Sequence, residues 1–424
     1  MNLEAKALGE LQQSWGDKFR QLIVPLSEQE LQDALAPHPH IFQSGNVGLL
    51  PRRELTVLAS TARDGKTTGI VGVAAARAMG HSLGGLCPHG TGSVVIYSAE
   101  DDRMQYARKV GAQIKLEVGS RGEAIRQKIL VPNLDDLGPG AARCLVMMLE
   151  GQPTETTAVD MVIEALQPMM DAPDAPDLLV FETASTLSEA DETNPAFRTL
   201  VMALRRIART LDVAVLLSHH VSQASMSNLP DLNISTTDIR GATALVNNAR
   251  QTAMMVNLGS EADPFPDTDA RTVLRRMIAP NAPDRMTAWI TLDSSKGVCP
   301  PPIFFRWMDT EYGPAAVEVD PPQNLAGRSW RKVKEMLAAE RAVQRTEAKA
   351  AAASGNLSLV LKLVRRLEES GKQPTVRAVS VEAGKSPGWA KQYLDAAVES
   401  GDLTCAVERI PRMKDGAKVY RSAD

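Results

Sequence analysis

The stretch from Leu55 to Met79 constrains the fold more than any other part of this 424-residue chain. An apolar run leads into a short loop that contains Gly65-Lys66-Thr67, and a helix of mostly small residues follows. This order is typical of a phosphate-binding loop, in which backbone N–H groups and a helix N-terminus surround phosphate oxygens. The lysine is expected to reach the β- and γ-phosphates, and the threonine hydroxyl is expected to hold Mg²⁺.

The predicted ligand is therefore ATP with Mg²⁺, bound by one continuous loop. Gly-Lys-Thr alone occurs by chance in many sequences, so the prediction depends on the strand before it and the helix after it. One position departs from the P-loop pattern, because Ser60 stands where the pattern has its first glycine. The residues predicted to bind the nucleotide are Ser60, Thr61, Ala62, Arg63, Asp64, Gly65, Lys66, Thr67 and Thr68.

Length and composition limit the architecture and the location of the chain. A chain of 424 residues is too long for one ordinary core, so two or three domains are expected. The apolar fraction of 44% and the charged fraction of 23% are those of a globular protein. No apolar run approaches the ~20 residues of a membrane helix, and the N-terminus has no secretory segment, so we expect a cytoplasmic protein without membrane contacts. The four cysteines lack the spacing of a zinc site or a disulfide framework, and structural thiols are expected.

Composition and pattern divide the chain into four segments. We predict an N-terminal helical arm at 1–45, a nucleotide-binding core at 46–320, a helical linker at 321–356 and a C-terminal domain at 357–424. Residues 322–424 carry 19 Lys and Arg against 12 Asp and Glu, whereas the rest of the chain carries 28 against 39. A basic C-terminal module on an acidic body indicates a contact with nucleic acid. A solvated basic face without a partner is the alternative.

The N-terminal arm is predicted to form one or two amphipathic helices. Its apolar residues recur at helical spacing, so they are expected to pack against the main body or against a neighbouring subunit. A connector with prolines follows, and His38 and His40 within it are interpreted as loop residues rather than as metal ligands. The apolar residues of the arm are Leu8, Leu11, Trp15, Phe19, Leu22 and Ile23.

Short apolar runs alternate with helical stretches between residues 46 and 320, which predicts a mostly parallel sheet covered on both faces. Two late runs, at 288–292 and 303–307, are expected to add antiparallel strands. In such sheets ligands bind at the carboxyl ends of the strands, so functional residues should follow the runs directly. The other predicted strands are residues 55–59, 93–99, 128–131, 178–181, 213–218 and 251–258.

Polar residues do follow three of these runs. Glu100 comes after a buried strand, where a carboxylate could activate the attacking water. Glu182 ends another strand, at the position where such folds hold the metal ion through its water shell. His219 and His220 end a third strand and suit contact with the γ-phosphate. Each alone could be structural, as a helix cap or a hydrogen-bonded histidine, but their order after a phosphate loop favours the functional interpretation.

This ordered set resembles the RecA-like core of plasmid RepA-type hexameric replicative helicases, which are related to the DnaB group. Those proteins carry a phosphate loop, strands ending in Ala-Glu-Asp, Asp-Thr and Leu-His-His, and then Arg-Gly-x-x-x-Leu-Val-x-Asn-x-Arg. The resemblance covers about residues 46–310. The matching stretches here are 99–101, 182–183, 219–220 and 240–250, followed by Ser295-Lys296-Gly297 and Phe305-Arg306-Trp307.

The resemblance implies that Glu100 is the catalytic base and that His220 senses the γ-phosphate. It also implies that Arg250 is an arginine finger, inserted into the nucleotide site of the next subunit; an ion pair within the subunit is the alternative. Lys66 completes the catalytic set, and Thr67 with Glu182 forms the metal site. The polar segment 222–239 is predicted to be a mobile loop without apolar anchors. In RecA-like rings such loops line the channel for single-stranded DNA, and Arg240 is the cation at its end.

The C-terminal segment is predicted to fold as a winged-helix domain. An Ala/Lys/Arg/Glu-rich helix at 330–353, ended by Ser354-Gly355, should be followed by helices at 357–370, 375–383 and 387–400 and by a basic hairpin. The third helix would enter a DNA groove. Many winged helices bind proteins instead, which is the alternative partner. The residues predicted to contact DNA here are Lys385, Lys391, Arg409, Arg412, Lys414 and Lys418.

The sequence thus predicts an α/β protein with a RecA-like P-loop core, acting as an ATP-dependent motor. The expected assembly is a homohexameric ring that translocates on single-stranded DNA as a replicative DNA helicase. A RecA-like ATPase that remodels protein–DNA complexes is one alternative. A non-hydrolysing, ATP-gated DNA-binding adaptor is another, because Ser60 adds a side chain beside the phosphates and Glu182 extends one methylene further than aspartate.

Overall fold

The computed structural model describes residues 17–35, 38–61, 64–117, 119–137, 143–190, 192–240, 242–280, 282–295, 298–408 and 417–423. The chain divides into two compact units, Met1–Val333 and Lys334–Asp424. No helix of the described part is both long enough and apolar enough to cross a membrane.

A mixed sheet forms the centre of the first unit. Among the described residues it has nine strands in the order β14-β13-β12-β11-β3-β10-β9-β5-β6. The strands from β11 to β6 run parallel, and β12, β13 and β14 are antiparallel additions. The strands of the chain are β1 His40–Ser44, β2 Val47–Pro51, β3 Leu55–Ser60, β4 Leu86–Pro88, β5 Ser93–Ser98, β6 Ile129–Leu130, β7 Val146–Leu149, β8 Gln152–Glu155, β9 Pro176–Glu182, β10 Ala214–His220, β11 Gln251–Gly259, β12 Met286–Ser294, β13 Ile303–Thr310, β14 Gly313–Glu318, β15 Leu403–Glu408 and β16 Ala417–Ser422.

Continuous apolar sequence explains why the phosphate-loop strand β3 lies in the interior of this sheet. Every residue of β3, β5 and β9 is buried, as expected for parallel strands covered on both faces. β3 lies between β10 and β11, so its carboxyl end is flanked by two other strand ends. All the predicted strands are present, and the two late runs are antiparallel as predicted. The predicted α/β class is confirmed for the described residues, because the phosphate-loop strand lies in the parallel part of the nine-stranded sheet.

The helix that follows the phosphate loop packs very closely on the sheet because its residues are small. A Cβ atom on Gly69 would lie 2.3 Å from the Cε atom of Met255, and one on Gly72 would lie 2.6 Å from the Cβ atom of Ala316. Larger side chains would therefore push this helix, and the loop before it, away from the sheet. The helices are α1 Glu28–Asp33, α2 Lys66–Met79, α3 Arg103–Leu116, α4 Ser120–Lys128, α5 Ala158–Leu166, α6 Asn194–Thr210, α7 Ala242–Asn248, α8 Ala270–Ile278, α9 Trp330–Glu369, α10 Val376–Ala383 and α11 Pro387–Glu399, with short 3₁₀ turns between them.

A buried ion pair links α2 to the start of β9. The Arg77 guanidinium donates to both carboxylate oxygens of Asp177, with Nε 3.1 Å from Oδ1. The same guanidinium donates to the backbone oxygens of His89 and Gly90, each at 2.8 Å. Four acceptors therefore surround one buried cation, which fixes the C-terminal end of α2 against the sheet.

The N-terminal segment differs from its prediction. Residues 17–22 and α1 are helical, but β1 begins at His40 and pairs with β2 and β4 in a small antiparallel sheet that the sequence did not reveal. Phe19, Leu22 and Ile23 are all more than 60% exposed, so the main body of the same chain does not cover them. Packing against a neighbouring subunit stays a prediction. Leu8, Leu11 and Trp15 lie outside the described residues.

Apolar side chains anchor the segment 222–239, so its prediction as a segment short of such anchors is wrong, whereas its mobility stays a prediction. Two 3₁₀ turns span Gln223–Asp231 and Thr236–Asp238, and Leu229, Leu232 and Ile239 are buried. The Asp238 carboxylate accepts hydrogen bonds from the Ser235 backbone N–H and from the Asn228 side chain. These contacts are irregular in spacing, which is why no periodic pattern revealed them.

In the second unit, the predicted helix end at Ser354-Gly355 is wrong. Helix α9 runs without interruption from Trp330 to Glu369. One glycine and one serine together disfavour a helix by only about 1–2 kcal/mol, and the surrounding alanines compensate for it. Helices α10 and α11 and the hairpin β15–β16 follow in the predicted order. Their core contains Val360, Val364, Val379, Leu394 and Tyr420.

Candidate functional site

The phosphate loop turns sharply between the end of β3 and the start of α2. Gly65 has a φ of +83°, and a Cβ atom there would lie 2.8 Å from the Trp307 ring, so this position requires glycine. Asp64 is buried and its carboxylate accepts from the backbone N–H and the hydroxyl of Thr61. Burial raises the pKa of Asp64, whereas the bonds from Thr61 lower it. Asp64 therefore shapes the loop from within. Ala62 and Arg63 lie outside the described residues.

Lys66, Thr67 and Glu182 meet at the carboxyl ends of β3 and β9. The Thr67 hydroxyl donates to Oε1 of Glu182 at 2.9 Å, and the Lys66 Nζ lies 3.8 Å from the same oxygen. Burial raises the pKa of Glu182, and the nearby Lys66 ammonium opposes this. Burial lowers the pKa of Lys66, and the carboxylates of Glu182 and Glu100 oppose that shift. The two groups stabilise each other's charged forms in a largely dry site.

Unsatisfied buried atoms indicate that this cluster fits a polyanion with its metal ion. Within the described part of the chain, no group lies within hydrogen-bond distance of the Lys66 Nζ or the Ser60 Oγ, although both atoms are buried. An ammonium without a partner is costly in a protein interior, and phosphate oxygens would satisfy it. Thr67 and Glu182 offer the oxygen ligands that Mg²⁺ prefers. The residues present therefore fit the expected Mg²⁺ and ATP.

Glu100 and His220 lie on the strands next to this cluster. Ser98, two residues before Glu100, pairs with Glu182 across β5 and β9, and His220 pairs with Ser60 across β10 and β3. Burial lowers the pKa of His220, the Lys66 charge lowers it further, and the Glu100 carboxylate raises it. Glu100 is exposed, and its carboxylate is close enough to act electrostatically on both Lys66 and His220. The structure brings Lys66, Glu182, Glu100 and His220 together.

The neighbouring His219 has a different role from His220, and the sequence did not distinguish the two histidines. His219 is fully buried, and its Nε2 lies 2.9 Å from the backbone oxygen of Arg240. A carbonyl oxygen only accepts, so Nε2 carries the proton. The ring also packs edge-on against Phe197, with centroids 5.3 Å apart. Burial lowers the pKa of His219 to about 3, so the ring stays neutral at physiological pH.

Acid is therefore expected to destabilise the fold through His219. Between pH 6.5 and about 3 the unfolded chain binds a proton on this ring that the folded chain excludes. The free energy of unfolding should then fall by up to about 1.4 kcal/mol per pH unit as the pH falls. Above pH 6.5 the ring is neutral in both states and adds no slope. Urea unfolding at a series of pH values measures the effect.

The variant His219→Gln should flatten this pH dependence, because its amide can still donate to the Arg240 oxygen but does not titrate. Equal slopes for wild type and His219→Gln would contradict the prediction.

Arg250 lies far from the phosphate loop of its own chain. Its backbone N–H donates to Leu55 at the start of β3, whereas the loop follows the end of that strand. It lines a small cavity of about 60 Å³ together with His40, Gly48 and Ser294. Among the described residues, Arg250 makes no ion pair, so the alternative of an intrasubunit salt bridge finds no support. Any contact between Arg250 and ATP would have to involve another subunit.

The predicted DNA contacts are distributed over both units of the chain. In the first unit, Arg240 is exposed and pairs with Glu192, directly after the segment 222–239. Lys385 and Lys391 are exposed at the start of α11 and within it, and Lys418 is exposed on β16. Arg409, Arg412 and Lys414 lie outside the described residues, as do Lys296 and Gly297 of the resemblance.

Tyr106 belongs to the site but was not predicted. Its hydroxyl donates to Oε2 of Glu182, from a fully buried position on α3. Tyr106 follows the helix cap Asp102 by four residues. Residues four apart lie on one face of a helix, so the sequence could have placed Tyr106 on the face below Asp102. Nothing in the sequence indicates that its partner is Glu182.

Comparisons with known proteins agree with an ATPase domain in this region. A family model described as an AAA domain matches residues 25–226. The match includes Lys66, Glu100, Glu182 and His220 and ends before Arg250. No curated protein matches the chain.

Two solved structures are similar to the chain at low identity. One is a DnaB-like replicative helicase, described with its interactions with primase, at 12% identity and a TM-score of 0.42 over 69% of this chain and 65% of that one. The other is the ATPase domain of a second protein, at 13% identity and a TM-score of 0.42 over 69% of this chain and 95% of that one. The chain thus spans just under two thirds of the first structure's length.

Proposed function

We propose that this chain is an ATP-dependent motor that forms a ring and translocates on single-stranded DNA as a replicative helicase. The observation that carries the proposal is the cluster of Lys66, Thr67 and Glu182 behind the phosphate loop, with Glu100 and His220 on neighbouring strand ends. Mg²⁺ would neutralise phosphate charge there. The match to an AAA domain over residues 25–226 supports the ATPase part of the proposal.

Each of three residues in the cluster suits a different step of ATP hydrolysis. The buried Lys66 ammonium has no hydrogen-bond partner among the described residues and would bind the terminal phosphates. Glu100 is exposed beside the cluster, where it could orient a water molecule and accept its proton. His220, on the next strand end, would contact the γ-phosphate and report its loss to the segment 222–239 that follows it.

ATP hydrolysis stimulated by single-stranded DNA is the first test of this proposal. Wild-type protein should hydrolyse ATP faster with single-stranded DNA, and Glu100→Gln should bind ATP with unchanged affinity but hydrolyse it at least about 10²-fold more slowly. Displacement of a strand from a forked duplex separates a helicase from a remodelling ATPase. A mass measurement with ATP and DNA tests the ring, because a monomer under these conditions would contradict it.

A DNA-binding adaptor that does not hydrolyse ATP is the second candidate. Two positions favour it: Ser60 adds a buried side chain at the start of the phosphate loop, and Glu182 is one methylene longer than the aspartate usual at the metal site. This candidate predicts tight ATP binding without turnover, and the same hydrolysis assay distinguishes it from the motor.

We further propose that the C-terminal helices and hairpin form a winged-helix domain for duplex DNA or for a protein partner. Support comes from the order of α10, α11 and β15–β16 and from the exposed Lys385 and Lys391. Binding of a duplex by wild type and by Lys385→Ala/Lys391→Ala, measured at two salt concentrations, tests the DNA alternative, since lost phosphate contacts reduce the salt dependence.

Arg250→Ala is expected to stop hydrolysis while it leaves ATP binding within about twofold of wild type. An arginine finger supplied by a neighbour contributes about 10³-fold or more to the rate, and Arg250 is too far from its own phosphate loop to bind the same nucleotide. Steady-state hydrolysis and binding of a fluorescent ATP analogue measure both effects. Arg209→Ala, which removes another exposed arginine of the first unit, is the control.

Mixing experiments make this prediction specific for a contact between subunits. Arg250→Ala keeps an intact nucleotide site, and Lys66→Ala keeps an intact finger, so mixed rings should contain some complete sites. Hydrolysis that recovers on mixing the two inactive variants is the expected result. Undiminished activity of Arg250→Ala alone, or no recovery on mixing, would contradict a role in trans.

A further inference from the structure

The hydrogen bond between Tyr106 and Glu182 has been given no role in the function proposed above. We propose that Tyr106 is a positioning residue of the metal site: its hydroxyl holds one oxygen of Glu182 so that the other stays with Thr67. The inference rests on the proposed ATPase function and deepens it. Tyr106 itself would touch neither the nucleotide nor the metal ion.

The two oxygens of the Glu182 carboxylate have different partners. Oε1 accepts from the Thr67 hydroxyl at 2.9 Å and lies 3.8 Å from the Lys66 Nζ. Oε2 accepts from the Tyr106 hydroxyl. Glu182 is 2% exposed and Tyr106 is fully buried, so water does not compete for either oxygen. The carboxylate is therefore held in one rotation, with Oε1 facing the groups that would bind the metal ion.

The tyrosine also connects this carboxylate to the turn that carries Glu100. Asp102 caps α3 by accepting from the Gln105 backbone N–H at 2.7 Å, which fixes the helix start just before Tyr106. The Ser98 hydroxyl accepts from the Asp101 backbone N–H at 3.0 Å. Lys109 lies 5.7 Å from the centre of the Tyr106 ring and 3.3 Å from the Asp101 carboxylate. The Tyr106 ring thus packs beside the turn that contains Glu100, the proposed base.

A glutamate at this position needs such a partner more than an aspartate would. The glutamate side chain has one more rotatable bond, so its carboxylate can take more orientations at the end of β9. A buried carboxylate oxygen without a donor is also strongly disfavoured. One hydrogen bond from Tyr106 both fixes the orientation of the carboxylate and supplies a donor to its oxygen. Removal of such a bond to a metal ligand typically lowers metal affinity by about 10–100-fold.

The test is the Mg²⁺ dependence of nucleotide binding in Tyr106→Phe. This change removes only the hydroxyl and keeps the ring that packs against Lys109. Binding of a fluorescent ATP analogue is measured over a Mg²⁺ titration and in excess EDTA. We expect the Mg²⁺ concentration at half-saturation to rise about 10-fold, while the affinity in EDTA stays within about twofold of wild type.

Tyr97→Phe is the matched control. The Tyr97 hydroxyl is also half-enclosed in the core and donates to the backbone oxygen of Arg143 at 2.9 Å, on the opposite side of β5 from the metal site. Both variants lose one tyrosine hydroxyl that makes one hydrogen bond, so both should unfold more easily in urea, and Tyr106→Phe should lose more stability because it leaves a buried carboxylate oxygen without its donor. Only Tyr106→Phe should change the Mg²⁺ titration.

A double-mutant cycle shows whether the effect passes through Glu182. In Glu182→Asp the shorter carboxylate no longer reaches the Tyr106 hydroxyl, so adding Tyr106→Phe should change the Mg²⁺ titration less than about twofold. An equal effect in both backgrounds would overturn the positioning role. An unchanged titration in Tyr106→Phe would also overturn it, as would an equal loss of affinity with and without Mg²⁺.

The outcomes separate this inference from the proposed function. If the wild-type protein binds no nucleotide, or if Mg²⁺ has no effect on wild-type binding, the proposed function fails and the role of Tyr106 fails with it. If wild-type binding depends on Mg²⁺ and Tyr106→Phe behaves like wild type, only the Tyr106 inference fails.

Discussion

Lys66→Ala is expected to lose ATP hydrolysis by about 10²- to 10³-fold or more and to weaken ATP binding strongly. The Lys66 Nζ is buried, lacks a hydrogen-bond partner among the described residues and lies 3.8 Å from the nearest carboxylate, Glu182. The ion pair with Glu182 leaves the hydrogen bonds of this ammonium unmade among the described residues, and phosphate oxygens of a ligand would complete them. Binding of a fluorescent ATP analogue and release of phosphate measure the two losses.

The matched control for this prediction is Lys115→Ala. Lys115 is an exposed lysine on α3 that pairs with Glu311 at 3.0 Å, so its removal should leave both activities unchanged. The fold of Lys66→Ala should also survive, because Glu182 keeps its bonds from Thr67 and Tyr106. Hydrolysis by Lys66→Ala within about threefold of wild type would contradict the assignment of this loop.

The largest loss of stability is expected for Arg77→Leu. This change leaves the Asp177 carboxylate buried without its partner and removes the donor to the backbone oxygens of His89 and Gly90. Breaking one side of a buried ion pair typically lowers the free energy of unfolding by about 3–5 kcal/mol. Urea unfolding followed by tryptophan fluorescence measures it, because Trp289 and Trp307 lie in the same unit.

Two further variants show whether burial is the cause. Arg126→Leu removes an exposed arginine that pairs with Glu123 at 2.6 Å, and because water solvates both groups the free energy of unfolding should hardly change. The double variant Arg77→Leu/Asp177→Leu should recover part of the loss, because two apolar side chains leave no unpaired charge. A loss for Arg77→Leu as small as that for Arg126→Leu would contradict the prediction.

The strands and the phosphate loop could be predicted because their signals are local. The runs around Val57, Val95 and Val180 are mostly apolar, as expected for parallel strands covered on both faces. Glu100 and Glu182 could be assigned to one site because carboxyl ends of parallel strands share one edge of a sheet.

Other features depended on local signals that are weak or misleading. Ser354 and Gly355 suggested a helix end, but their unfavourable helix propensity is small beside the long Ala-rich helix around them. The segment 222–239 lacked periodicity, yet Leu229 and Ile239 are buried in it. Short, irregular segments are stabilised by individual contacts, and such contacts leave no repeating pattern to read.

The sequence by itself determined the order of the elements, the conformation of the loop at Gly65 and the chemical groups at the strand ends. Tertiary structure alone decided which of those groups touch. Tyr106 and Glu182 are 76 residues apart, and Arg77 and Asp177 are 100 apart. Their meeting depends on how α2 and α3 lie on the sheet, and that depends on the summed packing of many small side chains. Local sequence patterns indicate whether a segment is a helix or a strand, whereas contacts between distant elements depend on the packing of the whole core.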